Sequence, residues 1–220
     1  MSDGQRAVIG RPGSGEDGRK AILDAAAKAF ASRGYLATSI DAIADELGAT
    51  KGRVYHYYRG KAEIFLDVVV TGMHDLIDDI EPLGTAADGA TPGERIGRMV
   101  HRHATLMMLR NHAQRVSVQA VEMRTVPELR LHQGLLDEVF ELRRRYEQIF
   151  GDVVAEGIAS GDFADRDPDL MVKATLGSLN WIPIWYVPDR ASDEEVEAIA
   201  GSFADFVLSA LSPRSTGSRP

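Results

Sequence analysis

Gly48 stands between two short segments with helical patterns, and this arrangement limits the possible folds more than any other feature of the chain. Before Gly48, apolar residues recur at the spacing of one helix face: Ile40, Ile43, Ala44 and Leu47. Thr38 and Ser39 are of the types that begin helices, and glycine readily adopts the left-handed backbone that ends one. Thr50 is a second residue of the capping type. The sequence therefore predicts two helices joined by a tight turn.

The second of these helices has two different faces. Its inward positions are apolar or aromatic: Val54, Tyr57 and Tyr58. Its outward positions are basic or aromatic: Lys51, Arg53, Tyr55 and His56. A helix-turn-helix needs this division, because inner residues fix the crossing of the two helices while outer residues meet bases and phosphates. The pattern favours a unit that presents its second helix to the major groove of DNA.

The segment from Arg19 to Phe65 resembles the N-terminal domain of TetR-family transcriptional regulators. The matching positions follow the family's order: Ala25, Ala26, Ala29, Phe30, Gly34, Tyr35, Thr38, Ser39, Ile43, Ala44, Gly48, Thr50, Lys51, Gly52, Val54, Tyr55, His56, Tyr57, Tyr58 and Lys61. Tyr58 and Gly60 depart from the commoner Phe and Ser. The resemblance implies a regulator, more often a repressor, that binds DNA as a homodimer and is released by a small hydrophobic effector.

Eight residues of this segment are expected to contact DNA. Those expected at phosphates carry hydroxyl, imidazole or ammonium groups: Thr38, Thr50, Tyr55, His56 and Lys61. Lys51, Gly52 and Arg53 begin the second helix, where Gly52 permits close approach and Arg53 can pair with a guanine. Other interpretations remain open, because Thr38 would cap its helix without DNA, and Lys51 and Arg53 also suit a solvated surface.

Charge is unevenly distributed along the 220 residues, whose net charge is −8. Residues 1–61 carry +3 and residues 62–220 carry −11, which suits a DNA-contacting head and an acidic body. The chain has no cysteine, which excludes disulfides and thiolate metal sites. No apolar run reaches the length of a membrane span, and the N-terminus has no apolar signal core. We therefore expect a cytoplasmic location without membrane contact.

Helical periodicity and helix breakers predict an all-α fold of about nine helices. The predicted parts are a flexible arm (1–15), a helix-turn-helix domain (16–61), a ligand-binding and dimerisation domain (62–212) and a flexible tail (213–220). Besides the helix-turn-helix pair, helices are predicted at about 17–33, 61–80, 92–110, 112–124, 127–160, 168–185 and 192–211. The arm is either a disordered leader or a basic arm whose Arg6 and Arg11 enter the minor groove.

The last two predicted helices are candidates for a dimer interface, since two helix-turn-helix units are needed to bind a palindromic operator tightly. One carries a strip of small residues: Leu170, Ala174, Gly177 and Ser178. The other carries an apolar strip: Val196, Ile199, Ala200, Phe203, Val207, Ala210 and Leu211. The family resemblance implies that these helices form a four-helix bundle with their symmetry mates. The alternative is that both strips belong to the intrachain core.

Residues suited to an effector pocket lie in the predicted body: Met99, His103, Met107, Met108, Arg110, Phe140, Trp181 and Trp185. The segment NWIPIWYVPD from Asn180 to Asp189 resembles an element of TetR-family regulators of fatty-acid and steroid catabolism, whose effectors are acyl-CoA thioesters. That resemblance implies an acyl-CoA or a similar lipid-like effector. Alternatively, the two tryptophans pack in the dimer interface. Pro183 between them is expected to kink the helix.

Catalytic and metal-binding patterns are weak. No two of the six histidines have the three- or four-residue spacing that places metal ligands on one helix face, and no nucleophile-elbow motif occurs. We therefore expect neither an enzyme nor a bound cofactor or metal. A second hypothesis from another class stays open, namely a helical small-molecule carrier or enzyme whose helix-turn-helix is vestigial.

Overall fold

The computed structural model describes residues 15–122, 126–187 and 192–213. In that part of the chain, nine helices of seven or more residues occur with two single helical turns, and the all-α prediction is confirmed. The helices are α1 (Gly15–Ala37), α2 (Ile40–Leu47), α3 (Lys51–Tyr57), α4 (Lys61–Ile80), α5 (Pro92–Leu109), α6 (Asn111–Glu122), α7 (Pro127–Arg130), α8 (Gln133–Ser160), α9 (Pro168–Asn180), α10 (Ile182–Trp185) and α11 (Asp193–Leu211).

A 3₁₀ turn, Glu81–Gly84, follows α4. None of the helices in the described residues combines the length and the apolar composition that crossing a bilayer requires. The predictions for the arm, including Arg6 and Arg11, and for the tail beyond Pro213 fall outside the described residues.

Side-chain caps begin several helices as the sequence indicates. Ser39 Oγ accepts the amide three residues on at 3.1 Å, at the start of α2. At α5, Thr91 and Glu94 form a reciprocal capping box with distances of 3.2 and 2.8 Å. Asp167 and Ser192 cap α9 and α11 through their side chains. These local bonds satisfy amides that would otherwise lack partners at the helix starts.

Two predicted helices are divided in the structure. The segment expected at 127–160 forms α7 and α8, because the amides of Leu131 and His132 bond carbonyls three residues back instead of four. The segment expected at 168–185 forms α9 and α10, and α9 ends three residues before Pro183. Proline lacks an amide hydrogen and its ring crowds the preceding turn. The expected kink is therefore a complete break.

Gly34 turns the chain at the end of α1. Its φ of 76° and ψ of 163° interrupt the helix, in a backbone region that only glycine adopts readily. The turn places Tyr35 in the core, where its side chain has 0% exposure. The predicted end of the first helix near residue 33 is therefore confirmed, although helical backbone resumes to Ala37.

The central helix α4 joins the N-terminal helices to the rest of the molecule. It packs against α1 on one side and against α5, α6 and α8 on others. Its Phe65 ring lies 5.2 Å from the Phe30 ring and 4.9 Å from the Tyr35 ring, between centroids. Since α4 contributes to the core shared by the N-terminal helices and the body, it positions the helix-turn-helix relative to the body. The domain boundary at 61/62 stays a prediction.

Candidate functional site

The turn between α2 and α3 has the geometry of a helix-turn-helix. Ser39 caps α2, and Gly48 ends it in the left-handed conformation, at φ 66° and ψ 33°. The amides of Gly48 and Ala49 bond carbonyls in the last turn of α2 at 3.1 and 2.9 Å. In α3, the Val54 side chain is fully buried. The two helices are therefore held by local backbone bonds at the turn and by the packing of α3 side chains such as Val54 in the core.

The outward face of α3 is exposed. It brings together six of the predicted DNA contacts, which include the N-cap: Thr50, Lys51, Gly52, Arg53, Tyr55 and His56. The Thr50 side chain makes no capping hydrogen bond. Lys51 Nζ lies 3.4 Å from Asp41, but both side chains are largely exposed, so this ion pair is weak and is readily exchanged for another anion. We call these six residues the α3 face.

Gly52 is not required by the fold of this chain. A Cβ atom at this position would meet only Thr50 Oγ1 among described atoms within 4 Å, at an ordinary distance of 3.7 Å. Its φ is not positive, so alanine would adopt the same backbone and would favour the helix. The absence of a side chain therefore leaves room for an external surface to approach the start of α3.

Two predicted phosphate contacts have internal partners instead. Thr38 is 2% exposed, and its Oγ1 lies 2.7 and 3.2 Å from the carbonyl oxygens of Gly34 and Ala29. A buried hydroxyl bonded in this way cannot reach a phosphate, so the prediction for the Thr38 side chain is wrong. Lys61 Nζ donates to the Tyr35 carbonyl at 2.9 Å and lies 4.4 Å from the centre of its ring. Lys61 therefore closes the end of α1.

Three residues that the sequence analysis did not identify support α3 from behind. Gly18 of α1 gives room to Tyr57, since a Cβ there would lie 2.1 Å from Tyr57 Oη. Asp67 of α4 is 4% exposed and accepts from Tyr58 Oη at 2.5 Å and from Arg19 Nη2 at 2.6 Å. Burial, followed by the Asp67 bond, raises the pKa of Tyr58, which keeps its hydroxyl protonated. The available signal was Asp67, the one charged residue in the otherwise apolar run of residues 64–70 in α4.

A second candidate site is a cavity of about 140 Å³ lined by residues of α4, α5, α6, α8 and α9. Its apolar lining includes Met73, Leu76, Met107 and Leu176. Its uncharged polar lining is formed by His103, Gln114, Ser117, Tyr146 and Asn180. An adjoining cleft of about 310 Å³ shares Arg143 and Glu147 with the cavity. Together they form a mixed apolar and polar space of the kind that holds small molecules.

His103 and Tyr146 form a buried polar pair in this cavity. His103 is 1% exposed, and its Nδ1 lies 2.5 Å from Tyr146 Oη. Burial lowers the pKa of His103 to about 4, against a smaller opposing effect of Asn180. Burial also raises the pKa of Tyr146 well above its usual value. Both side chains are therefore neutral near pH 7.

The residues predicted for an effector pocket do not form one site. His103 and Met107 line the cavity, and Phe140 lines the adjoining cleft. Met99 and Met108 are fully buried in the core. Arg110 is exposed and pairs with two α4 carboxylates at 3.2 and 3.4 Å. Met99, Met108 and Arg110 are not among the residues that line the cavity or the cleft, and their roles in an effector pocket stay predictions.

Trp181 and Trp185 lie outside the cavity, and their assignment to an effector pocket stays a prediction. Their side chains are 60% and 45% exposed, and Phe206 is 62% exposed. They line a groove of about 870 Å³ between α9–α10 and α11. We call its main residues the apolar face: Gly177, Ser178, Trp181, Trp185, Ile199, Phe203 and Phe206. Ala174 and Leu170 are exposed on the preceding turns of α9.

Part of the strip predicted for a dimer packs inside the chain. Four of its members are buried: Val196, Ala200, Val207 and Leu211. They face inward because α11 packs extensively on α5. The prediction of Val207 as an interface residue is therefore wrong, whereas Ile199 and Phe203 remain accessible. Since α11 is apolar on two faces, its sequence does not distinguish the inner strip from the outer one.

Two family models match the chain. Residues 22–68 match the model described as "Bacterial regulatory proteins, tetR family". Residues 89–211 match "Tetracyclin repressor-like, C-terminal domain", and this second match alone covers more than half of the chain. The chain belongs to the TetR family. TetR-family proteins are transcriptional regulators and not enzymes, and the described residues contain no cluster of three potential metal-ligating side chains.

Individual relatives of this TetR-family chain agree with the assignment. The transcriptional repressor KstR2 of Mycolicibacterium smegmatis is 27% identical over 185 residues, which are 77% of this chain and 80% of that protein. The TetR-family regulator PfmR of Thermus thermophilus has a TM-score of 0.72 and 29% identity, over 86% of this chain and 97% of that one. AibR, solved with isovaleryl coenzyme A and operator DNA, has a TM-score of 0.68 and 24% identity, over 89% and 98%.

Proposed function

We propose that this TetR-family regulator is a homodimeric repressor of a palindromic operator and that a small hydrophobic effector releases it. The observation that carries the proposal is the α3 face. It exposes cationic, hydroxyl and aromatic groups on a helix that Val54, Tyr57 and Tyr58 hold from behind. A helix about 10–12 Å across fits a major groove about 12 Å wide.

Each side chain of the α3 face has a proposed role. Lys51, Thr50, Tyr55 and His56 contact phosphates, which fix the register of the protein on the duplex. Arg53 donates two hydrogen bonds to a guanine edge, and Gly52 lets the backbone approach. Lys61 is a weaker candidate because its ammonium group already binds the end of α1. Contact with the chromosome implies the cytoplasmic location.

The apolar face supports the homodimer. One helix-turn-helix unit buries roughly 600–1,000 Å² on DNA, which limits the affinity of a monomer. A second copy packed on Trp181, Trp185 and Phe206 would remove three large, half-exposed rings from water. Ala174 and Gly177 leave space for close helix approach on α9. A palindromic operator requires the two α3 helices of a dimer to reach half-sites about 34 Å apart.

The cavity and its adjoining cleft support an acylated effector. AibR, which shares this fold, was solved with isovaleryl coenzyme A. We propose that the effector is an acyl-CoA thioester or a similar lipid-like molecule. Its acyl group lies in the cavity, and the rest of the molecule extends through the cleft past Arg143 and Glu147. The cavity of about 140 Å³ holds roughly five water-sized groups at about 30 Å³ each, which favours a short acyl group.

The proposal is tested by DNA binding of the full chain. Fluorescence anisotropy with duplexes from the regions flanking its own gene should show salt-dependent binding to a palindrome, with two copies per site. Short-chain acyl-CoA should then release the DNA. Native mass spectrometry of the purified protein identifies a retained ligand. A monomer that retains a ligand but binds no duplex at low salt would instead support the carrier hypothesis.

A further inference from the structure

Two buried nitrogen atoms in the cavity lack hydrogen-bond partners among the described residues. They are His103 Nε2 and Gln114 Nε2. His103 is 1% exposed and Gln114 is 2% exposed, and both side chains line the cavity of about 140 Å³. A buried polar group without a partner destabilises the fold. The two atoms therefore need a bonding partner that occupies the cavity.

Both unpartnered atoms are donors. The amide nitrogen of Gln114 carries two hydrogens and accepts nothing. For His103, Tyr146 Oη lies 2.5 Å from Nδ1, and we assign the hydroxyl as donor and Nδ1 as acceptor. A neutral imidazole with an accepting Nδ1 carries its hydrogen on Nε2. Asn180 also lines the cavity and lies near enough to His103 to raise its pKa slightly, but its side chain does not meet the distance and angle of a hydrogen bond with Nε2.

The charges around the cavity disfavour an anionic ligand. Its charged lining residues, Arg143 and Glu147, have opposite signs, and Arg143 Nη2 already donates to the Ser117 carbonyl at 2.6 Å. The buried imidazole is neutral, and Tyr146 is a neutral phenol. A carboxylate would lose its hydration without gaining a dedicated cation. An uncharged acceptor loses much less hydration free energy when it enters the cavity.

We infer that the effector carries an uncharged carbonyl oxygen, as in a ketone, ester, thioester or amide, which accepts hydrogen bonds from His103 Nε2 and Gln114 Nε2. This inference rests on the proposed effector-binding role of the body and names the chemical group that the body recognises. A carbonyl oxygen has two lone pairs and can accept from two donors. In the absence of effector, water fills the same role and is displaced when the carbonyl enters.

The test compares three ring compounds of similar size on the full-length, nitrogen-15-labelled protein. Cyclohexanone carries the carbonyl, methylcyclohexane lacks it, and cyclohexanecarboxylate carries an anion instead. We expect cyclohexanone to bind saturably and to shift the side-chain amide signals of Gln114. Gln114→Met removes the donors at similar volume and should weaken cyclohexanone binding about tenfold, the size of one buried hydrogen bond, without weakening methylcyclohexane.

Gln119→Met is the matched control, since Gln119 lies on the same helix but donates to the Phe30 carbonyl at 3.5 Å. It should bind cyclohexanone as the wild type does. If Gln114→Met does not fold, Gln114→Leu removes the same donors with another uncharged side chain. Equal weakening of cyclohexanone and methylcyclohexane would show a packing effect and overturn the inference. Tightest binding by the carboxylate, or no saturation by cyclohexanone, would also overturn it.

Operator binding is measured separately, so the two proposals fail in different ways. Selective cyclohexanone binding by a protein that ignores every duplex would support the carbonyl site and reject the repressor. Operator binding by a protein whose cavity does not distinguish cyclohexanone from methylcyclohexane would support the repressor and reject the carbonyl site.

Discussion

Tyr35 of α1 donates a hydrogen bond to Glu128 of α7, with 2.8 Å between the oxygen atoms. The Tyr35 ring is buried against Phe65, and its carbonyl receives the Lys61 ammonium group. The residue after Glu128, Leu129, lines the cleft next to the cavity. One tyrosine therefore connects the helices that carry the α3 face with the wall of the candidate effector site. We therefore expect this contact to help couple occupancy of the proposed effector site to the position of α3.

A double-mutant cycle should reveal the strength of this connection. Burial, followed by the Glu128 bond, raises the pKa of Tyr35 above its usual range, so the hydroxyl remains a donor at neutral pH. We expect a coupling free energy of about 1 kcal/mol between Tyr35→Phe and Glu128→Ala, because Glu128 is exposed to solvent. Urea unfolding of the wild type, both single variants and the double variant measures it. Strictly additive effects would show that the bond contributes nothing.

Gly52→Ala should separate stability from DNA binding. Alanine favours a helix over glycine by up to about 1 kcal/mol, and the chain has room for its methyl group. The unfolding free energy should therefore stay equal or rise. Operator affinity should fall about tenfold if the DNA backbone approaches this position, because the methyl group would hold it away.

Gly93→Ala is the matched control for this substitution. Gly93 is also the second residue of a helix that follows a threonine N-cap, and its Cβ would lie 4.0 Å from Thr91 Oγ1. It lies on α5, far from the α3 face in sequence. An unchanged operator affinity in both variants would contradict the close approach at Gly52.

Lys51→Ala and Arg53→Ala should weaken DNA binding in different ways. Loss of a phosphate contact at Lys51 should lower affinity for all duplexes and reduce the slope of log K against log salt by about one. Loss of the Arg53 contact should cost about 1–3 kcal/mol at one base pair and relax the preference there. Anisotropy titrations over a salt series and a set of single-base operator variants measure both. Lys173→Ala, at an exposed position on α9 of the body, should change neither quantity.

The apolar face should control the oligomeric state. A substitution in a twofold interface acts twice, so Phe206→Asp, at a cost of about 2 kcal/mol per copy, should raise the dimer dissociation constant about a thousandfold. Sedimentation velocity over a concentration series measures this. Leu131→Asp is the control, since Leu131 is 84% exposed and lies on the turn between α7 and α8. If the dimer persists in Phe206→Asp but not in Leu131→Asp, the dimer interface includes Leu131 and not the apolar face.

Local chemistry made some of these features predictable from the sequence. The caps Ser39, Thr91, Asp167 and Ser192 use atoms within three residues, so their sequence context is sufficient. Gly48 was recognisable as the end of α2 for the same reason. The solvent-facing residues of α3 followed from periodicity around Val54.

Long-range contacts decided what the sequence did not reveal. Thr38 and Lys61 match a DNA-contacting pattern, but their partners include carbonyls nine and twenty-six residues away. Gln114 and Tyr146 reach the cavity only because three helices cross near His103. In α11, Val207 and Phe206 are adjacent and both apolar, yet one is buried and the other is 62% exposed. Which of two neighbouring apolar residues is buried depends on which helices pack together, and the sequence of a single helix does not contain that information.

The buried histidine should make stability depend on pH. In the folded protein, burial lowers the pKa of His103 from 6.5 to about 4, so between these values the unfolded chain binds more protons than the folded one. The contribution of neutral His103 to the free energy of unfolding is therefore fully present above pH 6.5. It decreases as the pH drops and is lost below pH 4. Between pH 7.5 and pH 5 the loss should be about 2 kcal/mol. His103→Gln should remove this part of the pH dependence, as measured by urea unfolding at both pH values, while His112→Gln on the exposed surface serves as the control. If wild type and His103→Gln lose stability equally on acidification, His103 is protonated in the folded state, and the assignment of a neutral donor at Nε2 fails with it.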